Sequence, residues 1–335
     1  MTLLEKPRFD VLVVSVTRRC PWNCYYCAYK NDTHPELPYE EWIRFFETCL
    51  KHNALGFVMI TGGEPLVYKG LRELLTFLNT SNVPYTIVTT GVGTEKDVLS
   101  IARGISTTVD FHSTEIKKST TCLDLLRQLC VTDRYRKEEK IHGIVGEVTL
   151  TDINFEQIME NVERLLESVP YWLVDWAMIE PAWNKHYDFA FGSDTDPVSL
   201  PGAHRLTKEQ WEYVIQWNLK HKDRVLFPES QNRFIKAFAS GVRGRAIDYC
   251  NPLKATTIEP DGTFRLCYRI KGDIGEVVTI QRFIEEDFEE VWFLYATLAF
   301  ENKKKYCEGC FWQCPWFSME LGSEGQGHPE QFQKT

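Results

Sequence analysis

Between residue 9 and about residue 180 the chain repeats one hydrophobic pattern. A short, nearly unbroken apolar run rich in Val, Ile and Thr is followed by a longer segment whose apolar residues recur every three or four positions. The runs predict strands at Asp10–Val16, Phe57–Thr61, Tyr85–Thr89, Thr107–Phe111, Ile144–Leu150 and Trp172–Ile179. The amphipathic segments predict helices at Tyr39–Lys51, Leu71–Leu78, Glu95–Arg103, Thr121–Cys130 and Phe155–Leu166. Strands alternating with helices at this spacing predict βα units and a parallel sheet.

The pattern breaks at Glu180. From there to about Leu206 the chain reads "EPAWNKHYDFAFGSDTDPVSLPG", where Pro, Asn, Gly and Asp are mixed with aromatics and no period persists. A loop this long tends to be functional. A helix is expected at Lys208–Lys220. Near Asp248 a different arrangement begins: short strands at Thr256–Glu259 and Thr263–Tyr268 flank the turn pair Asp261-Gly262, as in a hairpin, and a helix follows at Phe288–Glu301. The expected division is a core over 1–205, a connecting helical segment over 206–247 and a C-terminal module over 248–335.

Composition narrows the classes. The 335 residues are 43% hydrophobic and 25% charged, as in an ordinary folded protein. No apolar run reaches the ~18–20 residues of a membrane span, and Val11–Val16 is too short for the apolar part of a secretory signal, so the expectation is a cytoplasmic protein with no membrane partner. The formal charge of −9 and the absence of a Lys/Arg cluster longer than Lys303–Lys305 argue against nucleic acid as a partner.

The 11 cysteines fall into two groups and a scatter. With no signal segment and such uneven spacing they read as metal ligands in a reducing compartment. Cys20, Cys24 and Cys27, in "CPWNCYYC", are spaced as one helix face would be. Pro21, Asn23 and the apolar run before them place them instead in a loop leaving the first strand. Structural zinc takes four protein ligands, and His34 is the nearest further donor; three thiolates on an iron–sulfur cube leave one iron open. Cys49, Cys122 and Cys130 sit on predicted helices, where a thiol behaves as a small buried hydrophobe.

The C-x3-C-x2-C spacing, with Tyr26 before the last cysteine and a strand before the first, resembles the radical S-adenosylmethionine superfamily. "TGGEPL", Thr61 to Leu66, follows the second predicted strand and resembles that family's GGEP motif. The resemblance implies a partial (β/α)6 TIM-like barrel and a [4Fe–4S] cluster on Cys20, Cys24 and Cys27. The open iron of that cluster would chelate S-adenosylmethionine, which is cleaved to a 5′-deoxyadenosyl radical. It further implies contacts to the cofactor from Tyr26, Gly62, Gly63, Glu64 and Pro65, with Glu64 and the backbone around it on the methionine ammonium. Thr90, Ser113, Thr149 and Pro181, at later strand ends, are weaker matches to cofactor-binding positions, and catalytic groups of such barrels lie at C-terminal strand ends. A flavodoxin- or ferredoxin-type electron donor is the implied partner.

The order Cys250, hairpin, Cys267, helix, Cys307-x2-Cys310 resembles the twitch module, the shortened SPASM domain, which implies one auxiliary [4Fe–4S] cluster on those four cysteines. Cys314 is left over: a replacement ligand, an inert thiol, or a catalytic hydrogen-atom donor. His112 and Glu147 are further polar candidates for catalysis on the fourth and fifth strands. Trp183 to Asp188 in the long loop are candidates for a substrate pocket, and Arg233, Arg243 and Arg245 for an anionic substrate group. With its first strand beginning near residue 10 the chain is expected to lack a leader-peptide recognition domain. The expected function is therefore hydrogen abstraction from a small biosynthetic substrate, sugar- or nucleoside-like, with the auxiliary cluster assisting oxidation or rearrangement. The alternatives are a peptide maturase and, in another class, a zinc-stabilised binding protein.

Overall fold

The structure is a computed structural model that describes residues 6–22, 34–109, 122, 124, 125, 127, 128, 143–152, 155–168, 172–178, 205–226, 228–239, 253, 255–265 and 278–306. Six strands, β1 (Phe9–Thr17), β2 (Leu55–Gly62), β3 (Tyr85–Val88), β4 (Gly104–Val109), β5 (Gly143–Leu150) and β6 (Trp172–Met178), lie side by side in chain order. Each is parallel to the one before it. All six overlap predicted strands, though β4 begins three residues before the expected Thr107, where Gly104 and Ser106 break the Val/Ile run that marks most parallel strands. This is the α/β parallel arrangement expected of a partial (β/α)6 barrel.

Alternation along the strands separates two faces. Leu12, Val14, Val58, Ile60, Ile87, Ile105, Val148, Val174 and Trp176 point into the main apolar core. There they meet α1 (Tyr39–Lys51) through Trp42, Phe45 and Phe46, α2 (Leu71–Thr80) through Leu71, Leu74, Leu75 and Leu78, and α3 (Phe155–Ser168) through Ile158 and Val162. The other face, lined by Val11, Val13, Met59, Val88, Glu147 and Asp175, stays partly exposed. The segment expected as a helix over Glu95–Arg103 is a 3-10 turn, Lys96–Ser100. The Glu95 N–H is tied to the Leu66 carbonyl at 2.9 Å and the N–H groups of Ile101 and Ala102 close on Val98, so little length is left for an α-helix.

The C-terminal hairpin continues the same sheet. β7 (Ala255–Ile258) runs parallel to β1, pairing Val11–Val14 with Ala255–Ile258, and β8 (Phe264–Arg265) turns back antiparallel to it. α4 (Lys208–Lys220) matches its predicted span and begins in a capping box from Thr207 and Gln210. Two helices escaped the periodicity. α5 (Pro228–Ala239) buries Ser230, Gln231 and Asn232 beside Ile235, so polar residues interrupt its inward apolar face. α6 (Ile280–Glu285) is too short to show a period. α7 (Phe288–Tyr306) closes the described chain. Phe9 of β1, Phe45 of α1, Phe264 of β8 and Phe283 of α6 form one aromatic cluster with centroids 4.9–6.2 Å apart. First and last elements therefore share a core.

Candidate active site

At the C-terminal ends of β1, β2 and β3 three loops are laced together. The Gly63 N–H donates to the Thr17 carbonyl at 2.7 Å and the Glu64 N–H to the Arg19 carbonyl at 2.8 Å. This joins the glycine loop to the residues just before Cys20. Gly62 holds φ +134°, and a Cβ there would lie 2.1 Å from the Thr17 carbonyl oxygen; at Gly63 one would lie 2.3 Å from that of Arg19. The glycines are thus required by backbone packed on backbone.

Glu64 has no exposed surface. Its carboxylate accepts from the Leu66 N–H at 3.1 Å, the Thr89 hydroxyl at 2.5 Å, and the Thr90 N–H and hydroxyl at 2.7 and 2.6 Å. Burial pushes its pKa up, and the bonds from Thr89, Thr90 and Leu66 pull it back. Four donors match the roughly four lone-pair positions of a carboxylate. These bonds make the Glu64 carboxylate a brace for the end of β3. Thr90 Oγ1 also accepts from Trp22 Nε1 at 2.9 Å. Trp22 lies between Cys20 and Cys24, so a continuous relay runs from the cysteine loop through Thr90 to Glu64.

The ring of polar groups continues across the partly exposed face. Thr149 is buried near the end of β5. Glu147, two residues earlier, accepts from Ser106 Oγ at 2.8 Å. Its register partner on β6 is Asp175, which the sequence reading missed. Asp175 is pushed up to about 8, first by loss of hydration and then by the negative charge of Glu147, while the Trp176 N–H opposes the shift. The available signal was a charged residue inside an apolar strand, in "WLVDWAM". A second missed group lies at the β1–β7 edge. There Arg18 donates to Glu259 Oε2 at 3.0 and 2.8 Å and Arg265 to Oε1 at 2.7 Å, all three side chains being largely buried.

Cys20 is partly exposed at the end of β1. Cys24, Tyr26, Cys27, His112, Ser113, Pro181, Cys250, Cys267, Cys307, Cys310 and Cys314 lie outside the described residues, as do Cys130, Trp183 to Asp188, Arg243 and Arg245. Cys49 is a buried hydrophobe whose thiol burial pushes well up, and Cys122 is buried with Sγ 3.9 Å from the Thr90 carbonyl. Among the described residues no helix is long and apolar enough to cross a membrane.

Residues 14–179 match the radical SAM superfamily. Over 75 residues the chain is 41% identical to a GTP 3',8-cyclase of Campylobacter fetus, a match covering 21% of this chain and 23% of that one. Over 178 residues it is 26% identical to a PqqA peptide cyclase of Granulibacter bethesdensis, covering 50% and 45%. These matches span from about a fifth to about half of the curated relatives' length. Among solved structures, Streptococcus suis SuiB bound to S-adenosylmethionine superposes with a TM-score of 0.59 at 15% identity, over 88% of this chain and 68% of that one. Native anSMEcpe with bound AdoMet superposes at 0.54 and 13% identity, over 84% and 80%. At those identities the likeness is one of fold. A parallel sheet in chain order, a cysteine loop after β1 bonded to a glycine loop after β2, and a family match over both together show that the chain belongs to the radical SAM superfamily.

Proposed function

We propose that the chain is a radical enzyme that takes a hydrogen atom from a small organic substrate held against the partly exposed face of the sheet. The observation that carries this is the lacing of the cysteine loop to the GGE loop through Gly63, Glu64 and the Trp22–Thr90–Glu64 relay. It sets Cys20 on a braced edge of the barrel, as a thiolate donor for soft iron needs. Cys20, with Cys24 and Cys27, would hold a [4Fe–4S] cluster, and the backbone of Gly62–Glu64 together with Tyr26, Pro65, Thr90, Ser113, Thr149 and Pro181 would border the cofactor. Such a cluster supplies one electron to S-adenosylmethionine, breaking a sulfonium C–S bond and yielding a 5′-deoxyadenosyl radical. SuiB and anSMEcpe, each solved with S-adenosylmethionine bound, support the cofactor through their fold.

The auxiliary cluster is part of the same proposal, with Cys250, Cys267, Cys307 and Cys310 as its ligands. A flavodoxin- or ferredoxin-type protein would deliver the electron. A second reading, a peptide-modifying enzyme, draws support from the match to a peptide cyclase over half of this chain and from SuiB having been solved with its precursor peptide. The small-molecule reading is kept because the polar groups of the sheet lie along the strands themselves, at Glu147 and Asp175, where a compact substrate reaches them.

Anaerobically reconstituted protein is expected to hold about eight irons per chain and to form 5′-deoxyadenosine from S-adenosylmethionine when reduced. Changing Cys20, Cys24 and Cys27 together to alanine should abolish that product and remove about half of the iron. Product formation that survives the triple change, or zinc in place of iron, overturns the reading.

A further inference from the structure

The three cysteines assigned to the first cluster lie between residues 20 and 35, in the stretch of chain bounded by β1 and α1. The described residues on either side of that stretch are tied to one another. On the near side the Arg19 N–H donates to Thr17 Oγ1 at 3.0 Å. On the far side the Glu36 carboxylate accepts from the Thr17 hydroxyl and, through both of its oxygens, from Arg19 Nε and Nη2, each at 2.8 Å. Arg19 Nη2 also donates to the Val67 carbonyl at 3.0 Å. Glu36 therefore closes the neck of the cysteine loop with three charge-assisted bonds, two of them in the fork geometry that fixes direction as well as distance.

The far side is anchored a second time. Residues 34–37 belong to no helix or strand, yet the Leu37 N–H donates to the Pro260 carbonyl at 2.8 Å and the Leu37 carbonyl accepts from the Tyr68 hydroxyl at 2.7 Å. His34 Nε2 lies 3.0 Å from Asp261 Oδ2. The turn between β7 and β8 thus holds this side of the loop, and through the Arg18–Glu259 bonds it holds the other. An ion pair as open to solvent as Arg19–Glu36, with 50% of the arginine side chain exposed, adds little to folding. What it does set is where the chain leaves β1 relative to where it comes back. Gathering the ends of a loop costs free energy, and a ligand that finds its donors already gathered does not meet that cost on binding.

We propose that Glu36 is a positioning residue for the first cluster: by holding Arg19 and Thr17 it keeps the two ends of the loop together, so that Cys20, Cys24 and Cys27 meet the iron as a preassembled set. Glu36 acts through those two residues and not on the iron. This role rests on the reading of the three cysteines as cluster ligands.

The test uses anaerobically reconstituted holoprotein. Iron of the first cluster is identified as the fraction whose electron paramagnetic resonance signal, in the reduced protein, changes when S-adenosylmethionine is added, and its loss to excess EDTA is followed against time in samples without the cofactor. Glu36→Ala is expected to lose that iron roughly fivefold faster than the parent, the scale of one net hydrogen bond. Any iron that does not respond to S-adenosylmethionine should leave at the parent's rate, and the urea unfolding midpoint should stay at the parent's value. Arg19→Met breaks the same tie from its other side and should match Glu36→Ala, while the double variant should release iron no faster than either single one. Glu36→Gln keeps an acceptor for the Thr17 hydroxyl and should fall between Glu36→Ala and the parent. Release at the parent's rate in both single variants, or additive effects in the double variant, overturns the proposal. Equal acceleration of all iron with a lowered unfolding midpoint does so too, because it shows only a general loosening of the fold. A parent that takes up no iron overturns the positioning role together with the radical reading; a parent with a responsive cluster and unaltered variants overturns the positioning role alone.

Discussion

A carboxylate with no exposed surface must have its lone pairs filled, and Glu64 draws four donors from β3 and its own turn. In Glu64→Gln an amide N–H2 would face the Thr90 N–H, donor against donor. The expected cost is roughly 1–3 kcal/mol, read as a lower denaturation midpoint, with weaker binding of S-adenosylmethionine because the glycine loop loses its brace. Asp175 poses the opposite case, an acid kept protonated. Its pKa is raised from the ordinary 3.8 to about 8, so the folded chain holds a proton that the unfolded chain has released. Its contribution to stability is complete below about pH 4 and is lost as pH rises toward 8. Asp175→Asn should remove that slope: the stability difference between parent and variant shifts in the variant's favour from pH 4 to pH 8 and is flat above, as measured by urea unfolding at stepped pH. Glu64 was legible in the sequence as a motif residue, yet the use of its side chain was not, because its donors Thr89 and Thr90 come from a strand some 25 residues away.

Among the elements, the strands were the most legible, because a parallel strand buried between neighbours must be Val/Ile-rich along its whole length. The helices α1 and α4 matched at both ends, since each has an apolar stripe and a clear start. α5 left a weaker trace: beside Ile235 its buried residues include Ser230, Gln231 and Asn232, whose partners come from the tertiary structure, as when Asn218 donates to Asn232 at 2.8 Å. Gly62 tests how the β1 and β2 loops meet. Gly62→Ala combines a positive φ with a Cβ 2.1 Å from the Thr17 carbonyl oxygen, and should cost roughly 1–3 kcal/mol. The same change should lower iron content after reconstitution, because it pushes apart the loop that carries Cys20. Iron content equal to the parent's would show that the two loops are not mechanically linked.

For the molecule as a whole, the decisive contact is between chain regions some 240 residues apart. Arg18, two residues before Cys20, and Arg265, two residues before Cys267, bind opposite oxygens of one buried carboxylate, Glu259. The start of the loop that carries Cys20 is thereby tied to the C-terminal hairpin, where β1 pairs with β7. Arg18→Met keeps the length of the side chain and removes its two bonds to Glu259. The expected cost is about 2 kcal/mol, and because the link joins first and last elements, thermal unfolding should broaden as the hairpin loosens from β1. A single transition as sharp as the parent's would mean that the aromatic cluster of Phe9, Phe45, Phe264 and Phe283 alone holds the two together.

What the sequence determined by itself was local: strand and helix periods, the spacing of Cys20, Cys24 and Cys27, and the glycines that follow β2. Each depends on residues close along the chain, so pattern and spacing suffice to read it. What only the tertiary structure decided was which distant residues meet. It placed the C-terminal hairpin on the edge of β1, turned the Glu64 carboxylate into the body of the barrel, and set Asp175 beside Glu147 on one face. Those outcomes follow from hydrogen-bond satisfaction and strand register, which act between segments whose separation along the chain carries no local signature.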